Sequence, residues 1–358
     1  MHFDLKSTEK WRHLPKVELH CHFEGCIPYE IVIDEHQRQG IPLPAASDAE
    51  CRKAFVLEKP AKNLEDALPT LERGAIIFEE ARAITRVASE VVFRKAMENV
   101  KLLELRYCPP FVESKSKGKI SMEDVLVAIQ EGITFGINRA REQDKEIHVF
   151  LIASGLAALG SESLQKAVDF VIRHKKDFVA FDLCGPEKDL NQYDKYLNQV
   201  HDAGIGVTIH AAESTEPKNA QIAVEKLHAK RIGHGIKVVQ DAAVFEYLRQ
   251  HNIHLEISPI SNLCTGEVKA ASEHPIAKFH KDGFSLSINS DDPACFGSCL
   301  SDDYALIHEK CGFGTADFFQ INRSALQASF VSQELKNTLL QEYFSEEKEK
   351  EWIFTFDY

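Results

Sequence analysis

His20-Cys21-His22 puts two imidazoles on one face of an extended segment, because side-chain direction in a strand alternates with period two and Cys21 points the other way. Much later in the chain, His210-Ala211-Ala212-Glu213 and Asp291-Asp292 stand at the ends of apolar runs of their own. An isolated His-x-His is most simply a pair of surface or hydrogen-bonded histidines. His210 and Asp291 change that reading. Three imidazoles and one carboxylate, assembled only by folding, suit a borderline cation such as zinc, with room left for an activated water. Zinc lowers the pKa of bound water toward about 7, so the chemistry expected is hydrolysis with water as the nucleophile. His20, His22, His210 and Asp291 are the expected ligands of one ion per chain.

Candidates for proton transfer surround this set. Glu213 stands just past a ligand, where a strand leaves the sheet. A carboxyl whose pKa is raised by burial there can pass a proton to a ring nitrogen while the neighbouring carbon is attacked. Gly233-His234-Gly235 frees the backbone around one imidazole, which suits a base or an electrostatic orienter of the water. In Asp291-Asp292-Pro293 successive side chains diverge, so one carboxylate can bind metal while the next meets substrate. A helix amino cap is the competing role for Asp292.

Eight segments rich in Val, Ile, Leu and Phe must carry these groups: residues 17–22, 102–107, 147–154, 178–185, 206–213, 231–235, 254–261 and 285–292. Strands alternating with helix-like stretches imply a parallel sheet, and eight of them a closed TIM (β/α)8 barrel; an open doubly wound sheet is the competing architecture. His20, His22, Arg106, Gly185, His210, Glu213, His234, Ser261, Asp291 and Asp292 all fall at the carboxyl ends of these segments, the active face of such a barrel. Between two strands, Ser121 caps a helix whose Met122, Val125, Ile129, Ile133 and Ile137 form a stripe expected to pack on the barrel. Residues 23–101 are too many for one strand-to-helix connection and are expected to hold extra helices over the mouth, with residues 63–78 as a lid. Residues 315–350 read as helical and are expected to close the barrel from outside.

The 358 residues are read as one domain, 1–358. A formal charge of -13 repels phosphate backbones and anionic lipid, which disfavours a nucleic-acid or membrane partner and favours a small neutral substrate. No signal-peptide core or membrane span is evident, and nine cysteines, odd in number and scattered, favour reduced thiols, so the cytoplasm is the expected compartment. The Pro-Cys-x-x-Cys of cytidine-deaminase zinc sites is absent, as are a complete P-loop and a dinucleotide fingerprint.

Taken together, PKVELHCHFEG (15–25), LLELRYCP (102–109), FDLCGPE (181–187), TIHAAES (208–214), RIGHG (231–235), EISPISN (256–262) and INSDDP (288–293) resemble the adenosine deaminase family over nearly the whole chain and in the right order. The resemblance implies an eight-stranded α/β barrel with zinc that hydrolyses the 6-amino group of a purine nucleoside. It implies His20, His22, His210 and Asp291 as ligands and Glu213 as the proton donor to purine N1. His234 would orient or deprotonate the water, Asp292 would engage N7 and the attacking hydroxide, and Gly185 would offer its backbone N–H to N3. His22 and Glu24 would also contact the substrate.

Two departures stand out. The family's His-Ala-Gly-Glu is His-Ala-Ala-Glu here, adding a methyl group at Ala212, and Glu24 replaces the Asp that contacts ribose. The His-x-Glu-Gly and NSDDPACFG stretches also resemble adenine deaminases, whereas Arg106-Tyr107, Asp182 to Gly185 and Gly233 resemble the nucleoside branch. Adenosine or 2'-deoxyadenosine is therefore the expected substrate. Adenine or a modified adenosine is the alternative, and an inactive nucleoside-binding or growth-factor-like member is the non-enzyme alternative. Small Ala67 within the lid segment points to an altered pocket.

Overall fold

The computed structural model describes residues 3–187 and 189–357. Its centre is a parallel sheet of eight strands in sequential order: β1 (Lys16–His22), β2 (Val100–Tyr107), β3 (His148–Leu156), β4 (Phe178–Cys184), β5 (Gly206–Ala211), β6 (Arg231–His234), β7 (His254–Ile257) and β8 (Leu286–Ile288). The fold is a TIM (β/α)8 barrel, as the strand count implied. Nearly every strand residue is buried, as expected where helices cover the outside of a parallel sheet and side chains fill its interior.

The seam between the last strand and the first is closed by the chain just beyond β8. Asp291 donates its backbone N–H to the His20 carbonyl at 3.1 Å, and its own carbonyl accepts the N–H of His22 at 2.9 Å. Three expected ligands are thus tied together by the backbone before any side chain is considered.

The barrel interior is unusually ionic. Arg106 contacts Asp182 at 3.2 Å and Glu256 at 2.8 Å, and Arg231 contacts Glu104 and Glu256 at 2.6 Å each. All five side chains are essentially inaccessible to solvent. Charges so deeply buried persist only when paired and hydrogen-bonded, and removing one partner typically costs about 3–5 kcal/mol. This network holds the groups behind the site in fixed geometry.

Between β1 and β2 lie the helices Tyr29–Gln39, Asp48–Phe55, Leu64–Leu71 and Ala81–Met97, the extra helical material expected there. The helix Met122–Arg141 begins with the capping box Ser121/Asp124. Its buried stripe departs from expectation in the second half: Gly132, Gly136 and Ala140 are buried, while Ile133 and Ile137 are only half-buried. A Cβ on Gly132 would lie 2.4 Å from the Thr85 carbonyl, so glycines let this helix pack closely on Ala81–Met97. After β8, the helices Thr315–Ala328, Gln333–Leu339 and Glu346–Phe356 follow, and Ala325 and Leu326 pack with Val17, Leu19 and Leu102 of the barrel wall. Among the described residues no helix is long and apolar enough to cross a membrane.

Candidate active site

The carboxyl ends of the strands open into a cavity lined by His22, Glu24, Gly185, His210, Glu213, His234, Asp291 and Asp292. His20 lies directly beneath, fully buried. The expected ligands and Glu24, Gly185, Glu213, His234 and Asp292 therefore reach one place.

His20 and His22 leave β1 on the same side, while Cys21 turns away and lies 3.1 Å, sulfur to sulfur, from Cys26. Nδ1 of His20 pairs with Glu256 at 2.8 Å, and Nδ1 of His210 pairs with Asp182 at 3.0 Å. Each carboxylate accepts the ring proton, which leaves the Nε2 lone pair of each histidine aimed inward. Nε2 of His20 is 3.3 Å from Asp291 Oδ1 and has no hydrogen-bond partner. Nε2 of His22 is 3.3 Å from Nε2 of His210 and 3.5 Å from the same Asp291 oxygen. Ring nitrogens and a carboxylate oxygen gathered this closely, with Nε2 of His20 buried and unpartnered, are the surroundings a cation would occupy. The donor set fits a divalent metal, and tetrahedral zinc favours such nitrogen and oxygen donors. The other oxygen of Asp291 accepts a hydrogen bond from Ser261 at 2.6 Å, which fixes the carboxylate plane.

Backbone conformation aims the remaining groups. Ala212, His234 and Asp291 all adopt the left-handed region, with φ of +56°, +60° and +63°. Non-glycine residues there are uncommon and mildly strained, and such strain persists where surrounding contacts over-determine the backbone. The turn at Ala212 is held by the Glu187 carboxylate, which accepts the N–H groups of Ala212 and Glu213 at 2.6 and 2.9 Å. The methyl group of Ala212 is accommodated, fully buried. Gly233 sits behind the imidazoles, where a Cβ would lie 3.0 Å from the His20 ring. Gly25 is required more strongly: a Cβ there would fall 1.7 Å from an Asp292 oxygen.

Burial, reinforced by the charges of Asp291 and Glu187, pushes the Glu213 carboxyl well above the ordinary range. Burial and the adjacent Asp291 push Asp292 upward as well. His234 moves down, because burial outweighs the attraction of Asp291. Its Nε2 lies 3.6 Å from Glu213 Oε2. The site thus sets a carboxyl of raised pKa beside an imidazole of lowered pKa over a cluster of donors that could hold a metal ion, an arrangement suited to adding water across a C=N bond.

A model of the adenosine deaminase family matches residues 15–345. The chain belongs to that family. The adenosine deaminase of Plasmodium gallinaceum is 36% identical over 354 residues, covering 96% of each chain. Among solved structures, the adenine deaminase of Arthrobacter aurescens superposes with a TM-score of 0.84 at 23% identity, over 95% of this chain and 99% of that one. A zinc-bound amidohydrolase of Burkholderia ambifaria superposes with a TM-score of 0.84 at 21% identity, over 100% of this chain and 96% of that one. These last two likenesses speak for the fold.

Within the family frame, several residues depart from what their place in the sequence suggested. Arg106 does not reach the cavity; it lies behind the histidines as a clamp between Asp182 and Glu256. Ser261 belongs to the short helix Pro259–Cys264 and not to β7. Asp292 makes no side-chain cap bond to the helix after it, which leaves its carboxyl free for the cavity. Leu64, Leu68 and Leu71 of the helix Leu64–Leu71 line the cavity mouth, but Ala67 is buried and does not. Glu24 lines the cavity, yet its Oε1 already accepts the Cys108 N–H at 2.8 Å, and burial pushes its carboxyl up to about 7.

Reasoning from sequence gave no role to Asp182, Glu187, Glu256 and Asn262. A signal was present for two of them, since Asp182 and Glu256 are lone acids inside apolar strands, where a charge needs a partner.

Proposed function

We propose that this chain catalyses zinc-dependent hydrolytic deamination of adenosine and 2'-deoxyadenosine, giving inosine or 2'-deoxyinosine and ammonia, as a cytoplasmic enzyme of purine salvage. The single observation that carries the reading is the convergence of a buried Glu213, its carboxyl pushed up by burial, with the donors of His20, His22, His210 and Asp291 on one cavity. A small purine nucleoside suits a cavity whose mouth is lined by Leu64, Leu68 and Leu71 and whose floor carries the imidazoles and carboxylates.

In this reading His20, His22, His210 and Asp291 would hold the ion, and zinc in the Burkholderia relative supports the choice of metal. The chemistry supplied by a bound zinc is Lewis acidity, which makes water a nucleophile at neutral pH. Asp182 and Glu256 keep the ligand imidazoles in the tautomer that binds. Glu213 donates its proton to N1 of the purine, which draws electron density from C6. Asp292 engages N7 and the attacking hydroxide, and Gly185 offers its backbone N–H to N3. The helix Leu64–Leu71 excludes water from the bound base.

Glu24 favours a second reading, deamination of free adenine or a modified adenosine. Its Oε1 is engaged by Cys108, which weakens the contact expected to ribose. A side-by-side assay of adenosine, 2'-deoxyadenosine, 5'-modified adenosines and adenine, followed by loss of aminopurine absorbance, separates these. Turnover of the nucleosides supports the proposal; turnover of adenine alone rejects it. Stoichiometric zinc with no turnover of any aminopurine would point to an inactive nucleoside-binding member.

A further inference from the structure

Behind Glu213 and His234 runs a chain of hydrogen bonds whose direction is dictated from one end. The backbone N–H of Ile276, which can only donate, meets Nδ1 of His274 at 3.1 Å. That nitrogen is therefore an acceptor. His274 is buried, and burial pushes its imidazolium down to about 3, so the ring is neutral and its single proton lies on Nε2. Nε2 is 3.2 Å from Oδ1 of Asn262, and the donation fixes which way the Asn262 amide faces: carbonyl toward His274, NH2 toward the site.

The two hydrogens of that NH2 have two destinations. Nδ2 of Asn262 lies 3.2 Å from Nδ1 of His234 and 3.4 Å from Oε1 of Glu213. Both atoms must accept. A neutral His234 then carries its proton on Nε2, the nitrogen 3.6 Å from Glu213 Oε2 and 3.8 Å from Asp291 Oδ2. Oε1 of Glu213 is occupied as an acceptor, which leaves Oε2 as the oxygen free to face the reaction centre.

We propose that Asn262 and His274 are positioning residues that hold His234 as an Nε2–H donor toward the reaction centre and occupy Oε1 of Glu213, leaving its Oε2 free. Two consequences follow for the deaminase reading on which their catalytic meaning rests. His234 presents no lone pair to the site, so it orients the nucleophile and does not deprotonate it. His20, His210 and His234 also lie close enough to hold an ion between them, but a ligand at Nε2 would need both nitrogens of His234 to be acceptors, which a neutral imidazole cannot supply. The relay thus favours His20, His22, His210 and Asp291 as the ligand set.

The test uses the zinc-loaded protein labelled with 15N-histidine, reading ring tautomers from long-range proton–nitrogen correlations, with the His234 signals assigned by their loss in His234→Asn. The expected result is an Nε2–H ring at His234 in the parent protein. His274→Leu removes the donor to Asn262 and should move His234 toward the Nδ1–H form, lowering kcat about tenfold while KM and zinc content hold. His274→Gln, whose amide can donate to the same oxygen, should recover most of that loss. Asn262→Asp, nearly the same shape, offers only acceptors and should shift the tautomer even if His274→Leu does not fold. An Nδ1–H ring in the parent protein, or an unaltered His234 signal in Asn262→Asp, overturns the proposal. The spectra need no substrate, so a protein that turns over no aminopurine would defeat the deaminase reading while the tautomer still decides the relay.

Discussion

The Glu187 carboxylate accepts the backbone N–H of Ala212 at 2.6 Å and thereby holds that residue at a φ of +56°, one residue before Glu213. The N–H groups of Glu213 and Ser214 and the hydroxyl of Thr215 converge on the same carboxylate. A left-handed alanine costs roughly 1–2 kcal/mol, and several hydrogen bonds to one charged group, worth about 1.5–3 kcal/mol each, outweigh it. Glu187→Gln replaces one acceptor oxygen with a donor facing N–H groups. The expected outcome is a fall in kcat of about tenfold or more, with zinc content unchanged and partial recovery when Ala212→Gly is added. Steady-state kinetics with metal analysis check it.

Glu213→Gln keeps the size and polarity of the side chain but removes the transferable proton. Activity on adenosine should fall by at least about 10²-fold, the low end for a general acid–base group, with metal retained. An unchanged rate removes Glu213 from the acid role.

Asp182→Asn acts one step behind the metal. Asp182 fixes Nδ1 of His210 as the protonated nitrogen and also pairs with Arg106. An amide in its place weakens the orientation of His210, and such outer partners typically contribute about 10–100-fold in metal affinity. Competition with a zinc chelator should show weaker binding of that size. His210→Ala should lower zinc content and activity together, and normal metal occupancy in that variant would contradict the ligand assignment.

Acid stability should depend on His254, away from the site. Its ring is buried between the hydroxyls of Ser285 and Ser287, and burial, aided by the positive charge of Arg231, pushes it down to about 3. The unfolded chain binds this proton below about 6.5 and the folded chain does not. Between those values the unfolded state holds more protons, so stability falls as pH falls, by up to roughly 1.4 kcal/mol per unit. His254→Gln should flatten thermal unfolding midpoints between pH 6.5 and 4 relative to the parent. The same slope in both proteins would show that His254 is not the group responsible.

Much of the site was legible because its logic is local. His-x-His on a strand, Gly-His-Gly and Asp-Asp-Pro each state their geometry within three residues, and eight apolar runs spaced by helices state the barrel. Strand ends were read too long where a polar residue happened to follow. β7 stops at Ile257 because Pro259 begins a helix, and a proline at the first helical position was a readable sign of it. The supporting layer was not legible. Glu187 reaches Ala212 across 25 positions and His274 reaches Asn262 from a separate loop, so neither leaves a periodic or spaced trace in the sequence.

The most direct test is a crystallographic anomalous-difference map recorded at the zinc absorption edge on protein loaded with the metal. One strong peak per chain, at about 2.0–2.2 Å from Nε2 of His20, His22 and His210 and from an Asp291 oxygen, is the expected result. No peak in the cavity, or one bonded to His20, His210 and His234 with His22 and Asp291 out of reach, would contradict the assignment on which the proposed chemistry rests.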